Sequence, residues 1–204
     1  MIVIITGDII NSRQVNTKLW LPLLESALAR YASKKGKWEI YRGDSFQLEL
    51  TTEQVFEAVI YIKSAMKSIQ GLDVRMGIGI GEKDYEGESL KKSNGQAFVY
   101  SGETFDALNK ETLKIKTPWD DLNEQVNIYL DLLAFIIHNW NANVSSTVYY
   151  SIENKHLNQA ELTKKIGKKQ SQISRELKKA GYDYVLKTIN YCQKILEYKC
   201  LSSS

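Results

Sequence analysis

The sequence predicts an α+β fold: a ferredoxin-like sandwich over residues 1–117, followed by an all-α helix-turn-helix domain over residues 118–204. Three observations predict it. Up to Thr117-Pro118, short β-like runs alternate with amphipathic stretches in the order β-α-β-β-α-β, with one extra helix. After Pro118 the β signals nearly vanish. Charge divides at a similar place, since residues 119–157 carry one Lys against five acidic residues while 158–181 carry seven Lys/Arg against two Glu.

Each element has its own warrant. Residues 2–6 are a continuous apolar run rich in β-branched side chains, as a buried central strand is. Leu19, Leu23, Leu24, Ala27, Leu28 and Tyr31 recur at helical spacing within 17–33. Residues 38–41 and 45–50 flank Gly43-Asp44, a two-residue hairpin signal. Val55, Val59, Ile62 and Met66 stripe a helix over 53–69, and residues 74–80 alternate as a strand. A helix over 96–108 and a short strand over 113–116 complete the first part. Beyond Pro118, residues 123–140 form a strongly amphipathic helix and three or four shorter helices follow. Val148-Tyr149-Tyr150 is open between helix and strand.

Composition excludes several classes. The chain has 204 residues, 43% apolar and 25% charged, with net charge +3. Its longest apolar run, 132–137, is far below the roughly 18 residues of a membrane helix. Residues 1–6 show no basic flank and no small-residue cleavage site, so no secretory signal is expected. Twelve Gly, two Pro and 10% aromatics argue against disorder and low complexity. Cys192 and Cys200, eight residues apart in a helical pattern, lie about 12 Å apart along the axis, too far to bridge. His138 and His156 are isolated, with no zinc spacing nearby. Free thiols and a cytoplasmic location are the expectation.

Two acidic residues stand out in the first part. Asp8 is placed just past the first strand, in Gly7-Asp8-Ile9-Ile10-Asn11-Ser12-Arg13, and Asp44 is at the tip of the hairpin. In a β-α-β-β sandwich those two places can adjoin, and two converging carboxylates suit a hard divalent cation carrying nucleotide phosphates. Backbone amides of residues 9–13 and the charge of Arg13 would face the same phosphates. Taken singly, each Asp is also an ordinary turn or cap residue. In the run 74–81, Gly77, Gly79 and Gly81 fall at period two, which bares one face of a strand rather than making a dinucleotide loop. Such a face serves close packing of a helix or contact with a ligand.

Asp8 in its Gly-Asp-Ile loop, Arg42-Gly43-Asp44-Ser45-Phe46, Arg75-Met76-Gly77-Ile78-Gly79-Ile80-Gly81, and Ser101-Gly102 before Phe105-Asp106 come in the order seen in class III nucleotidyl cyclases. The layout also resembles GGDEF-type diguanylate cyclase domains, and the whole chain resembles the SatD family. The cyclase resemblance covers the first half. It implies that Asp8 and Asp44 hold Mg2+ with a nucleoside triphosphate, and that Ile9, Ser12, Arg13, Arg42, Asp106 and Lys110 bind the nucleotide. Asp106 and Lys110 stand where cyclases carry a ribose-orienting Asn and a charge-stabilising Arg. An acidic residue repels polyphosphate and Lys is a poorer bidentate clamp, so little turnover is expected. Against the GGDEF pattern, Arg42 replaces a Gly and Ser45 an acidic residue.

The second constellation runs from Asn158 to Gly181. Asn158 with Glu161 three residues on is a capping signature, Leu162 and Ile166 form an inner stripe, and Gly167 permits a tight turn. Ile173 and Leu177 anchor a second helix. The arrangement is that of a helix-turn-helix and resembles bacterial regulators of that kind, apart from Thr163 where Ala is usual and Lys168 where an aliphatic is usual. DNA-binding candidates are Lys164, Lys169, Gln170, Ser171, Gln172, Ser174, Arg175 and Lys178, with net charge +5 over 158–181. A basic helical pair used for packing or dimerisation is the alternative. The expected function is a nucleotide-responsive DNA-binding regulator that acts as a homodimer and has no membrane partner. An active Mg2+-dependent nucleotidyl cyclase or transferase with an assembly tail is the rival, and a DNA-binding protein with a scaffold domain is the third reading.

Overall fold

A computed structural model describes residues 1–32 and 36–202. The chain is a mixed α/β protein with one five-stranded sheet and eight helices among the described residues. β1 (Ile2–Ile10), β2 (Trp38–Tyr41), β3 (Ser45–Leu50), β4 (Asp73–Gly81) and β5 (Leu113–Lys116) lie in the order β2-β3-β1-β4-β5. β1 is central and antiparallel to both β3 and β4, whereas β5 joins β4 in parallel. Two helices, α1 (Thr17–Tyr31) and α2 (Val55–Lys67), share the core of one sheet face. α3 (Gln96–Ala107) packs on the other.

The register explains the division. Val3, Ile5 and Gly7 of β1 stand in line with Leu50, Leu48 and Phe46 of β3, and Val3, Ile5, Gly7 and Ile9 with Ile80, Ile78, Met76 and Val74 of β4, and all are buried. The opposite face carries Ile4, Thr6 and Asp8 beside Gly79, Gly77 and Arg75. The bare glycine face is filled by a helix backbone. A Cβ on Gly79 would stand 2.1 Å from the Ala97 carbonyl oxygen and 2.3 Å from the Ser101 nitrogen, and one on Gly77 2.5 Å from the Phe105 nitrogen. Of the two uses open to that face, close helix packing is the one observed.

Several boundaries differ from the sequence reading. β1 continues to Ile10, because residues 7–10 find antiparallel partners on β4, so Asp8 lies inside the strand and not past it. The hairpin turn has three residues, Arg42-Gly43-Asp44, between the paired Tyr41 and Ser45. Arg42 (φ 52°) and Gly43 (φ 90°) both adopt the left-handed backbone that follows the twist of a hairpin. Residue 33, to which the helical spacing extended α1, lies outside the described residues, as do 203 and 204.

The remaining helices are α4 (Asp120–His138), α5 (Ala142–Glu153), α6 (Gln159–Ile166), α7 (Gln170–Ala180) and α8 (Tyr182–Ser202). Residues 148–150 are helical, since Val148 and Tyr149 are buried on α5, which packs against α2. The Tyr61 and Tyr149 rings meet at 5.0 Å between centroids, and Arg30 lies 4.8 Å over Tyr61. One apolar cluster therefore runs from Val3 to Leu196 through both parts of the chain. α4 also covers the outer edge of β5. Asn127 accepts from Ile115 N and donates to Ile115 O, both at 2.9 Å, which satisfies backbone groups an edge strand leaves open. No helix among the described residues is long and apolar enough to cross a membrane.

Candidate functional site

The first site is built where β1 ends. Asp8 is opposite Ser45 on β3 and Arg75 on β4. Arg75 grips it with two prongs, Nε to Oδ1 at 3.0 Å and Nη2 to Oδ2 at 2.6 Å, and this bond raises the Arg75 pKa. The Phe105 ring, 5.4 Å from the guanidinium carbon, supports the same side chain. Past the strand, Asn11 takes a left-handed backbone (φ 63°) and its amide donates to Gly71 O at 2.9 Å. That reversal carries Ser12 back over the hairpin tip, where its Oγ donates to Asp44 Oδ2 at 2.5 Å. The tip is held from below by Ile9 N donating to Asp44 O at 3.1 Å.

These contacts surround a pocket of about 570 Å³, a size that suits a small ligand. Asp8, Ile9, Ser12, Arg13, Asp44 and Lys110 all line it. Arg42 does not. It opens on a neighbouring pocket of about 480 Å³ with Tyr41, Gln47, Lys91 and Phe98. Asp106 is exposed on α3 and lines neither. Ile9 contributes only backbone edge, because its side chain is in the core and its amide is bonded to Asp44.

Sequence reasoning missed Gln14, Arg75, Asn109, Glu111 and Thr112, which also line the pocket. Arg75 was legible in principle, as the charge next to Gly77 at period two on the glycine face of β4. Thr112 is fixed from beneath by Lys63, which is 1% exposed and donates to Thr112 Oγ1 at 3.1 Å, Val74 O at 2.9 Å and Asp73 Oδ1 at 2.9 Å. Burial lowers the Lys63 pKa against the pull of Asp73.

The donor set bears on the metal. Among the described residues no group of three or more His, Cys, Asp or Glu side chains could hold an ion. Asp8 and Asp44 offer two carboxylates of the hard-oxygen type that Mg2+ accepts alongside water and phosphate. Both line one pocket, but Arg75 holds both oxygens of Asp8 and Ser12 holds Oδ2 of Asp44.

The second site is the α6–α7 unit. Asn158 and Glu161 form a reciprocal capping box: Glu161 N donates to Asn158 Oδ1 at 3.0 Å and Asn158 N to Glu161 Oε2 at 2.9 Å. Gly167 (φ 71°) ends α6 in the left-handed conformation, and Gly181 (φ 62°) ends α7 the same way. Ile173 and Ala180 are buried, which leaves Gln170, Ser171, Ser174, Arg175 and Lys178 exposed on α7, with Lys164 and Lys169 exposed before it. Gln172 departs from the expected face, as its amide turns to Glu176 Oε1 at 3.1 Å. Lys168, at the position where an aliphatic is usual, donates to Glu176 Oε2 and Thr147 Oγ1, each at 2.8 Å. It ties the turn to α5 by charge instead of by apolar packing. Burial pushes the Glu176 carboxyl up, but Lys168, Thr147 and Gln172 outweigh it and hold the pKa below the ordinary carboxylate range.

A family model described as the SatD family matches residues 2–196. No curated protein and no solved structure matches the chain.

Proposed function

The chain belongs to the SatD family, and from that premise we propose that it is a nucleotide-responsive DNA-binding regulator. In this reading, residues 1–117 are a ferredoxin-like, cyclase-like sensor, and residues 118–204 are a helical domain whose α6 and α7 form a helix-turn-helix. The observation that carries the sensor is the single pocket that gathers Asp8, Asp44, Ser12, Arg13, Arg75 and Lys110 from four separate stretches of chain. Three cationic side chains, Arg13, Arg75 and Lys110, beside three carboxylates, Asp8, Asp44 and Glu111, support a polyphosphate and its divalent ion as the occupant. Mg2+ held by Asp8 and Asp44 would neutralise phosphate charge. Arg13, Lys110 and a released Arg75 would supply the donors around it.

The closed Asp8–Arg75 pair favours sensing over turnover, because the carboxylate that a reaction needs is already neutralised within the protein. The exposed placement of Asp106, outside the pocket, points the same way. On the DNA side, the exposed polar and basic face of α7 supports insertion into a major groove, with Lys164 and Lys169 toward phosphates. A thermal-shift screen of nucleoside triphosphates with and without Mg2+ tests the sensor, since a ligand of the folded state raises its melting temperature. No shift with any nucleotide at saturating concentration overturns it.

A further inference from the structure

We propose that the outer face of the α4–α8 helix pair is the surface on which two copies of this chain associate. Of the eleven large apolar side chains that stand exposed among the described residues, seven lie on these two helices; Leu201 sits at the end of α8, and the other six form two stripes: Ile128, Leu132, Phe135, Tyr184, Tyr191 and Tyr198. Their exposures run from 44% to 71%. The spacings are four and three residues on α4 and seven on α8, so each set forms one continuous seam of the kind that packs against further helices.

The two seams adjoin. α4 and α8 run antiparallel, with Lys199 paired to Asp121 at 2.5 Å at one end and Trp140 Nε1 donating to Ala180 O at 3.0 Å at the other. Between them Tyr191 stacks edge-on against Tyr129 at 5.5 Å and accepts from Gln125. The core sides of both helices are already used, by Val126, Leu130 and Leu133 on one and Val185, Ile189 and Cys192 on the other. At ~200 Å² per aromatic side chain, the exposed fractions leave on the order of 700 Å² to cover. A standard interface buries about 800 Å² per partner.

Charge selects the occupant. The α4 edge of this face carries Glu124 and Asp131, the latter also paired to Lys114 of β5 at 2.9 Å, and the α8 edge carries Lys187 and Lys194, all exposed. The Asp121–Lys199 and Tyr129–Tyr191 contacts set the levels, which places Glu124 level with Lys194 and Asp131 level with Lys187. A two-fold axis parallel to the helices lays α4 of one copy over α8 of the other and brings those opposite charges together. Four helices then form an antiparallel bundle. An anionic lipid surface would meet the acidic edge of α4 and be repelled. The inference rests on α4 and α8 alone and does not depend on the nucleotide pocket.

Sedimentation equilibrium of the full chain at micromolar concentrations is expected to give twice the chain mass of 23.3 kDa. Leu132→Glu and Tyr198→Glu, both at exposed positions, should each weaken the dimer about 100-fold while leaving the circular dichroism spectrum unchanged. Glu124→Lys and Lys194→Glu should each weaken it less, and the double variant should recover the wild-type association. A monomeric wild-type chain, a dimer indifferent to both glutamates, or a stripe that instead binds phosphatidylserine vesicles would overturn the proposal.

Discussion

Arg75 and Asp8 lie opposite each other across the β1–β4 ladder and close a two-pronged ion pair at 3.0 and 2.6 Å inside the candidate pocket. The pair is a third or less exposed on either side, so it is worth about 1 kcal/mol to the fold and more to the pocket's charge. Its consequence is functional. A cation that needs Asp8 and an anion that needs Arg75 each compete with the pair when alone, but together they replace it.

Arg75→Ala is therefore expected to strengthen binding of Mg2+ alone and to weaken binding of a magnesium–nucleotide complex by about tenfold, read by isothermal titration calorimetry. Asp8→Asn and Asp44→Asn should abolish the Mg2+-dependent stabilisation by nucleotide without unfolding the chain. Persistence of that stabilisation in both variants would place phosphate recognition elsewhere.

On DNA, Arg175→Ala should relax sequence preference at one base pair by roughly 1–3 kcal/mol. Lys164→Ala should lower affinity for all sequences about equally and reduce the salt slope by about one. Selection from random duplexes, followed by salt titration of the enriched sequences, distinguishes the two. No enriched sequence and no salt dependence would reject DNA binding.

The Lys168–Glu176–Thr147 cluster makes the α6–α7 turn sensitive to acid. Because the folded-state pKa of Glu176 is depressed, its contribution is complete above the unfolded value of about 4.3 and is lost as pH falls through the lower folded value. Glu176→Gln should cost about 1–3 kcal/mol at neutral pH and flatten the acid limb of a stability profile taken by denaturant titration. Wild type and variant should converge once the carboxyl is protonated in both states.

Gly79→Ala tests the sheet–helix contact. The added methyl has backbone within 2.3 Å, so α3 must move off the sheet, a cost of about 1–3 kcal/mol or more. The melting temperature should fall by at least several degrees at ~2–4 °C per kcal/mol. An unchanged melt would mean that α3 does not seat on β4 as described.

What the chain decided by itself was local. Periods of two and 3.6 located nearly every strand and helix, and the capping box at Asn158 and the turn at Gly167 formed as read, because their partners lie within a few residues. The β-α-β-β order alone was enough to bring Asp8, Ser12, Arg13 and Asp44 around one pocket. Tertiary structure decided what depends on distant partners. Register across 67 residues set Arg75 on Asp8, and it carried β1 on to Ile10. The approach of α3 spent the glycine face on packing. Docking of the turn onto α5 drew Gln172 away from the outer face of α7 through Glu176, and Tyr149 against Tyr61 turned an ambiguous stretch into a helix shared by both halves. Local spacing is written in neighbouring residues, whereas a register or a buried charge forms only where desolvation makes one distant partner better than water.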